Sequence, residues 1–316
     1  MRHFTDAFSE RGSVRLQSSG ANPVTAVRTL DVSHPEGHLL LVDSRSNDLK
    51  VADDDGQVRR TIGRYGRGPG EFTSLYDAVF LPDGRVLAVD AGNSRASVFE
   101  ATGELVSDFA IRGQDPRSVV ATGPSTVAIG GLLAPRRGFQ NAAATYTLDG
   151  SRESAFLPAD SLILRTNLVV DQVWVATLPE NLLAISLSLT PELHLFSASG
   201  AHICTQAAGL PGWSQLLPPD EPVTSLPAAR AWIESATLGS VMAFAQGRLY
   251  RHYGASGDGG TGWLAEYDIG LRLLAVYDSL PGHLVGSDDE SLIFAGEETI
   301  EDIPVYMYVQ QVEDGS

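Results

Sequence analysis

The side chains that could do chemistry are few and scattered. Cys204 is the single cysteine, so no internal disulfide and no cysteine-cluster metal site can form. Lys50 is the single lysine, and it stands between Leu49 and Val51. A phosphate-binding P-loop needs Gly-Lys before Ser or Thr, so that chemistry is excluded. Schiff-base chemistry is left with this one lysine, which the pattern places at the surface. Asp53-Asp54-Asp55-Gly56 resembles part of a calcium loop, but Val51 and Ile62 stand where that spacing needs acids. It reads as a hairpin turn. Gly212 to Leu216 (GWSQL) lacks the last glycine of a nucleophile elbow. Gly254 to Gly262 is glycine-rich, but no helix follows to hold a phosphate. Among the seven histidines, Pro35 keeps His34 and His38 from a helical pair, and His3 lies in the tail. No local motif supplies a reaction, so any site must be assembled by the fold.

Composition narrows the partners. Acids outnumber bases 39 to 22 in 316 residues, a net charge of −17. Phosphate backbones need a surplus of Lys and Arg, so nucleic acid is excluded as a partner. Hydrophobic residues make up 43%, enough for a sizeable core. No apolar run reaches the roughly 18 residues of a spanning helix. Met1 to Gly12 lacks the apolar stretch of a secretory signal.

A repeat positions everything else. Glycine turns recur at Gly56, Gly103, Gly150, Gly200, Gly270 and Gly315, spaced 47, 47, 50, 70 and 45 residues apart. That period is one four-stranded propeller blade of about 40–50 residues. Within Leu75 to Ile111 the strands are Asp77–Leu81, Arg85–Asp90, Ala96–Glu100 and Leu105–Ile111, with turns at Pro82-Asp83-Gly84 and Thr102-Gly103. Second strands such as Val86–Val89 and Leu39–Val42 are apolar on both faces, as stacked blades require. The last blade lacks a fourth strand, and Ser13 to Gln17 is in phase to supply it. The expectation is an all-β chain, a six-bladed β-propeller of four-stranded antiparallel blades, closed by an N-terminal strand in the last blade. It spans residues 1–316 as a single domain, with an insertion at 210–238 between blades 4 and 5. Pro227 to Ser235 is the best short helix.

Val86 to Phe99 (VLAVDAGNSRASVF) resembles the core of an NHL repeat, with Asp90, Asn93 and Arg95 in the matching places. Gly63 to Phe72 is similar to the inter-blade loop of NHL-like six-bladed propellers, and Glu301 to Val309 to the last strand of bacterial members. Only this blade carries the full set; the first has Asp43, Ser46 and Asp48 instead. The resemblance implies the fold. It also implies a range of functions: sensing, protein binding, and in some members metal-dependent lyase or lactonase chemistry with calcium on the channel axis. Asp77, Asn167 and Asp171 are the residues available to such a metal. Similar bacterial propellers are often exported, which places this chain outside the cytoplasm with any leader removed.

The turn chemistry of the motif is structural. Asp90 accepts from turn amides, Asn93 tolerates a left-handed backbone, and Arg95 pairs with Asp90 or its neighbours. Phe72 anchors the next inner strand. Topology then separates two faces. Turns from first to second and third to fourth strand are short. Connections on the other face hold the long insertions Gly63–Phe72, Gly130–Asn141, Leu210–Leu238 and Tyr253–Gly262. Such loops serve binding or gating, so the site is expected at the channel mouth on this elaborated face. Inner strands bring Asp77, Arg117, Asp171 and His283 there. Loops add Arg64, Arg67, Arg136, Arg137, Trp213, Arg251, His252, Tyr253 and Trp263. Arginines and aromatics make the strong contacts at interfaces, and Arg64 and Arg67 suit an anionic ligand. The favoured function is non-catalytic binding of a protein, peptide or glycan by a monomer without a cofactor. The alternative is the calcium-dependent enzyme.

Overall fold

The computed structural model describes residues 1–17, 23–32, 37–112, 114–133, 141–158, 172–207, 209–214, 225–234, 236–255, 262–296 and 302–310. Strands β1 (Arg2–His3) and β2 (Phe8–Gln17) precede the first blade. Blade 1 holds β3 (Val27–Val32), β4 (Leu39–Asp43), β5 (Asp48–Ala52) and β6 (Val58–Ile62). Blade 2 holds β7 (Leu75–Phe80), β8 (Val86–Asp90), β9 (Arg95–Phe99) and β10 (Leu105–Ala110). Blade 3 holds β11 (Gln114–Gly123), β12 (Thr126–Leu133), β13 (Asn141–Thr147) and β14 (Arg152–Pro158). Blade 4 holds β15 (Val173–Leu178), β16 (Leu182–Leu187), β17 (Glu192–Ser197) and β18 (His202–Ala207). Blade 5 holds β19 (Thr237–Ala245), β20 (Arg248–Ala255), β21 (Trp263–Tyr267) and β22 (Leu273–Asp278). Blade 6 holds β23 (His283–Ser287), β24 (Leu292–Ala295) and β25 (Asp302–Gln310).

The innermost strands touch in sequence, β3 to β7, β11, β15, β19 and β23, and β23 returns to β3, closing a six-bladed ring. Closure works as the glycine phase implies. β2 pairs antiparallel with β25 as the outer strand of blade 6, with Val14 opposite Val305. It is longer than Ser13–Gln17, because Phe8 to Gly12 continue the ladder. One pairing was not legible: β1 runs parallel to β22 and gives blade 5 a fifth strand. The N-terminal segment therefore laces two blades together. Phe4 and Phe8 are its pegs. They stack with centroids 4.4 Å apart and sink between Tyr277, Tyr250 and Phe294 in the seam of blades 5 and 6.

The apolar clusters lie between neighbouring blades, as in stacked sheets. β4, β8 and β24 are buried at every residue, which explains their apolar character on both faces. Lys50 departs from its surface pattern. It is 2% exposed and bonds Asp48 at 2.9 Å, because β5 is covered on both faces. Where the ring closes, the backbones approach so nearly that a Cβ on Gly286 of β23 would lie 2.0 Å from the Leu30 carbonyl of β3. The insertion before blade 5 contains a short helix, Leu226–Ile233, one residue from its expected start.

Deleting residues 1–17 removes the outer strand of blade 6, so a large loss of melting temperature is expected. The point variant Phe4→Ala should cost about 3–5 kcal/mol in urea denaturation. An unchanged midpoint for either variant would remove the lacing role.

Candidate functional site

Two carboxylates set the corners from which the inner strands enter the channel. Asp90, at the end of β8, accepts from the Ser74 amide at 2.7 Å, the Thr73 amide at 3.1 Å and the Gly92 amide at 3.1 Å. Asp43 does the same in blade 1, accepting from Thr25 and Ala26 and from the amides of Arg45 and Ser46. The carboxylate replaces the ladder partners that a bending strand loses. Asn93 donates to the carbonyls of Gly66 and Glu71, and Arg95 donates to those of Gly68 and Glu71. Two details differ from the sequence reading. Arg95 pairs with Asp108 at 3.1 Å rather than with Asp90. The left-handed residue is Ser94, not Asn93, matching Asn47 in blade 1. Phe72 is fully buried as an anchor.

The loop 63–72 is thereby braced from below. Arg64 pairs with Glu71 at 2.7 Å, and the Glu71 carboxylate also accepts from the Gly68 amide. These bonds hold Glu71 below the usual carboxylate range, the Gly68 amide contributing most. Arg67 is exposed near Tyr65, which is 70% exposed.

Five of the six innermost strands carry a register shift near their start: β3, β7, β11, β19 and β23. A bulge re-aims a side chain. Here it brings Arg28, Tyr76 and Arg117 to one level on three successive blades. The Arg28 guanidinium lies 4.2 Å from the Tyr76 ring centroid and that of Arg117 lies 3.7 Å from it. Arg117 also bonds Asp115 at 2.7 Å. Burial, with Arg28 nearby, lowers Arg117 to about 10. Partial desolvation against its neighbours lowers Arg28 as well, though the residue is exposed, and the charge of Asp77 opposes this.

Beneath this layer the inner strands enclose a cavity of about 400 Å³. Its walls start at Thr29, Asp77, Ser118 and Trp174, one residue below Arg28, Tyr76 and Arg117 in blades 1 to 3, and end at Pro82, Asp288 and Asp289 on the trimmed face. Asp77 spans three blades. One oxygen accepts from Thr29 Oγ1 at 2.7 Å and the Ala78 amide, and the other accepts from the Val119 amide at 2.8 Å. Asp31 accepts from the Phe80 amide at 2.7 Å. The surface that Asp77 does expose lines this channel. Burial raises its carboxyl to about 7 against these bonds, with a small addition from Asp31.

The other sequence candidates separate. His252 and His283 do meet, with ring centroids 5.9 Å apart, and Ser240 Oγ lies 2.7 Å from His252 Nδ1. Arg251 is fully buried. It spans to blade 4, donating to the carbonyls of Leu187, Thr190 and Pro191 at 2.7 to 3.0 Å. That makes it an inter-blade strut rather than a ligand contact. Trp263 stacks on Tyr253, whose hydroxyl donates to Pro211, and Trp213 packs beside them. These rings anchor the start of the insertion. Arg136, Arg137, Asn167 and Asp171 lie outside the described residues. Among the described residues, the carboxylate group that converges enough for a metal is Asp53, Asp54 and Asp55. It sits on the β5–β6 hairpin, where Asp53 caps the amides of Asp55 and Gln57. Sequence reasoning missed Arg28, Tyr76, Asp31 and Ser240. Arg28, Tyr76 and Ser240 fall at bulges, which shift them out of the alternation that a regular strand would show.

No protein-family model matches the chain, and no curated protein does. Solved structures match over nearly the whole length. A member of the DUF4221 family from Bacteroides vulgatus is 10% identical with a TM-score of 0.71, covering 96% of this chain and 98% of that one. A putative exported protein from Bacteroides fragilis is 11% identical with a TM-score of 0.70, covering 98% of each. A catalytically inactive variant of virginiamycin B lyase from Staphylococcus aureus, with quinupristin, is 12% identical with a TM-score of 0.58, covering 92% and 82%. At such identities the likeness is one of fold; these neighbours include DUF4221 and virginiamycin B lyase propellers, and membership of the NHL family is not shown.

The raised Asp77 carboxyl has a defined sign. Its folded pKa lies above the unfolded value, so its contribution is full below about pH 4 and is lost as pH rises through about 7. Comparing pH 5.5 with pH 8, this one group should favour the acidic side by at most about 2 kcal/mol. Asp77→Asn should flatten that difference in paired urea titrations. Identical slopes for the two proteins would contradict it.

Proposed function

We propose that the protein is a non-catalytic binding propeller that receives a small ligand, or one group of a larger protein, peptide or glycan, in its central channel. The observation that carries this is the cavity of about 400 Å³ walled by the innermost strands beneath the Arg28, Tyr76 and Arg117 layer. Its size falls within the range of ligand sites of roughly 300–1,000 Å³. Its wall mixes apolar side chains with a few fixed polar groups, the usual recipe for orientation and selectivity. The braced 63–72 loop presents Arg64, Arg67 and Tyr65 on the same side as the upper mouth, where a larger partner would rest.

The calcium-dependent lactonase or lyase is the second reading. Of its ligands, Asp77 is the one among the described residues, and its oxygens already accept three hydrogen bonds. The described residues therefore do not fit a calcium on the channel axis, and no reaction step is derived through one. Elemental mass spectrometry on the purified protein decides between the readings. About one tightly held calcium per chain would favour the enzyme.

A cavity-filling variant tests the binding site. Compounds that raise the melting temperature of the wild type should bind Val120→Trp about tenfold or more weakly, because Val120 lines the wall. Equal affinity for a normally folded Val120→Trp would place the site elsewhere.

A further inference from the structure

We infer that Arg28 and Arg117, held on either side of Tyr76, form a clamp for an oxyanion, a carboxylate or phosphate group of the ligand, at the elaborated mouth of the channel. The inference gives a chemical class to the ligand of the proposed channel site and rests on that reading. Three observations support it. First, the Arg28 guanidinium makes no hydrogen bond or ion pair among the described residues. It is exposed at the mouth, beside the Tyr76 ring and within reach of the charge of Asp77, so its fork is open to a ligand. An arginine carries five donors in a planar fork that matches a carboxylate or phosphate. Second, Arg117 uses one terminal nitrogen on Asp115, while its buried Nε has no hydrogen-bond partner. A buried donor without an acceptor calls for a partner, and an oxyanion at the mouth is one that would serve. Third, the bulges in β3, β7 and β11 bring two like charges to one ring in a chain whose net charge is −17.

A purely structural role accounts for less. Cation–π contact with Tyr76 rewards one guanidinium, and the second adds repulsion, which Asp115 beside Arg117 and the charge of Asp77 near Arg28 offset in part. An oxyanion at the rim of the ring would accept from the Arg28 fork, lie near the charge of Arg117 and relieve that repulsion. Tyr76 would then act as a spacer that fixes the two planes. The adjoining cavity, with Asp31, Asp288 and Asp289 in its wall, would repel a second anionic group, so the ligand's anionic end stays at the mouth.

The test is calorimetric titration of the full chain with inorganic phosphate and, separately, with succinate, at pH 7 and low ionic strength with chloride-matched controls. Saturable binding with one site per chain is expected for at least one probe, and which one responds identifies the group. Arg28→Gln should weaken it about tenfold or more, and Arg28→Lys should fall between the two, because it keeps the charge and loses the fork. Arg272→Gln, an equal charge change on an exposed hairpin, should leave it unchanged. No saturable binding of either probe, or equal weakening by Arg28→Gln and Arg272→Gln, would overturn the clamp. The channel reading fails independently. If compounds bind Val120→Trp as tightly as the wild type while phosphate still responds to Arg28→Gln, the clamp stands and the cavity does not. If compounds lost in Val120→Trp bind wild type and Arg28→Gln alike, and neither probe binds, the cavity stands and the clamp does not.

Discussion

A ring of sheets has no end that can be capped, so its stability depends on how the last sheet is joined to the first. Here β2 completes blade 6 across from β25, and the next inner strand to begin is β3 of blade 1. The interfaces from blade 1 to blade 5 are stacks of two blades that would form in an open array too. The seam between blades 6 and 1, with Leu16, Val14, Leu30 and Ile293 in one cluster, requires closure, and so do the contacts of Phe4 and Phe8 in the seam of blades 5 and 6. Closure removes the free sheet edges that would otherwise invite pairing between chains. It also fixes the radius of the channel, since the innermost strands must then face one another at a set distance.

The channel inherits its chemistry from that geometry. Inner strands crowd near the axis, and bulges at their starts turn side chains toward the centre that a regular ladder would direct between blades. Asp43 and Asp90 repeat this bend in blades 1 and 2, where one carboxylate gathers the amides of the incoming connection. The charged residues then sort by depth. Arginines lie at the upper level with Tyr76, and carboxylates lie below them, where Asp77 is held by three blades at once.

Much of this was legible in the sequence, for definite reasons. Glycine turns at a blade's period, second strands apolar on both faces, and the phase of Ser13–Gln17 all report constraints that act locally or repeat, and so leave a pattern. The placement of Asp77 at the channel followed from counting strands. The Arg28, Tyr76 and Arg117 layer did not, because a bulge breaks the alternation on which the counting depends. Arg251 was misread for a related reason. Its place before His252 and Tyr253 suggested the mouth, whereas its side chain turns back into blade 4 through space opened by Gly239, whose added Cβ would lie 2.1 Å from the guanidinium. The parallel pairing of β1 with β22 left no signal, since two residues carry too little pattern to place a strand.

The burial of Lys50 reaches beyond the fold. It is the single lysine of the sequence, and it lies inside blade 1 against Asp48 and Thr61. All remaining positive side-chain charge, histidines aside, is guanidinium, which does not deprotonate near neutral pH. The folded surface therefore offers no ε-amine to acylating reagents, to acetyl transfer or to isopeptide attachment. Side-chain amine labelling of this protein would report unfolding of blade 1 and nothing else about its surface.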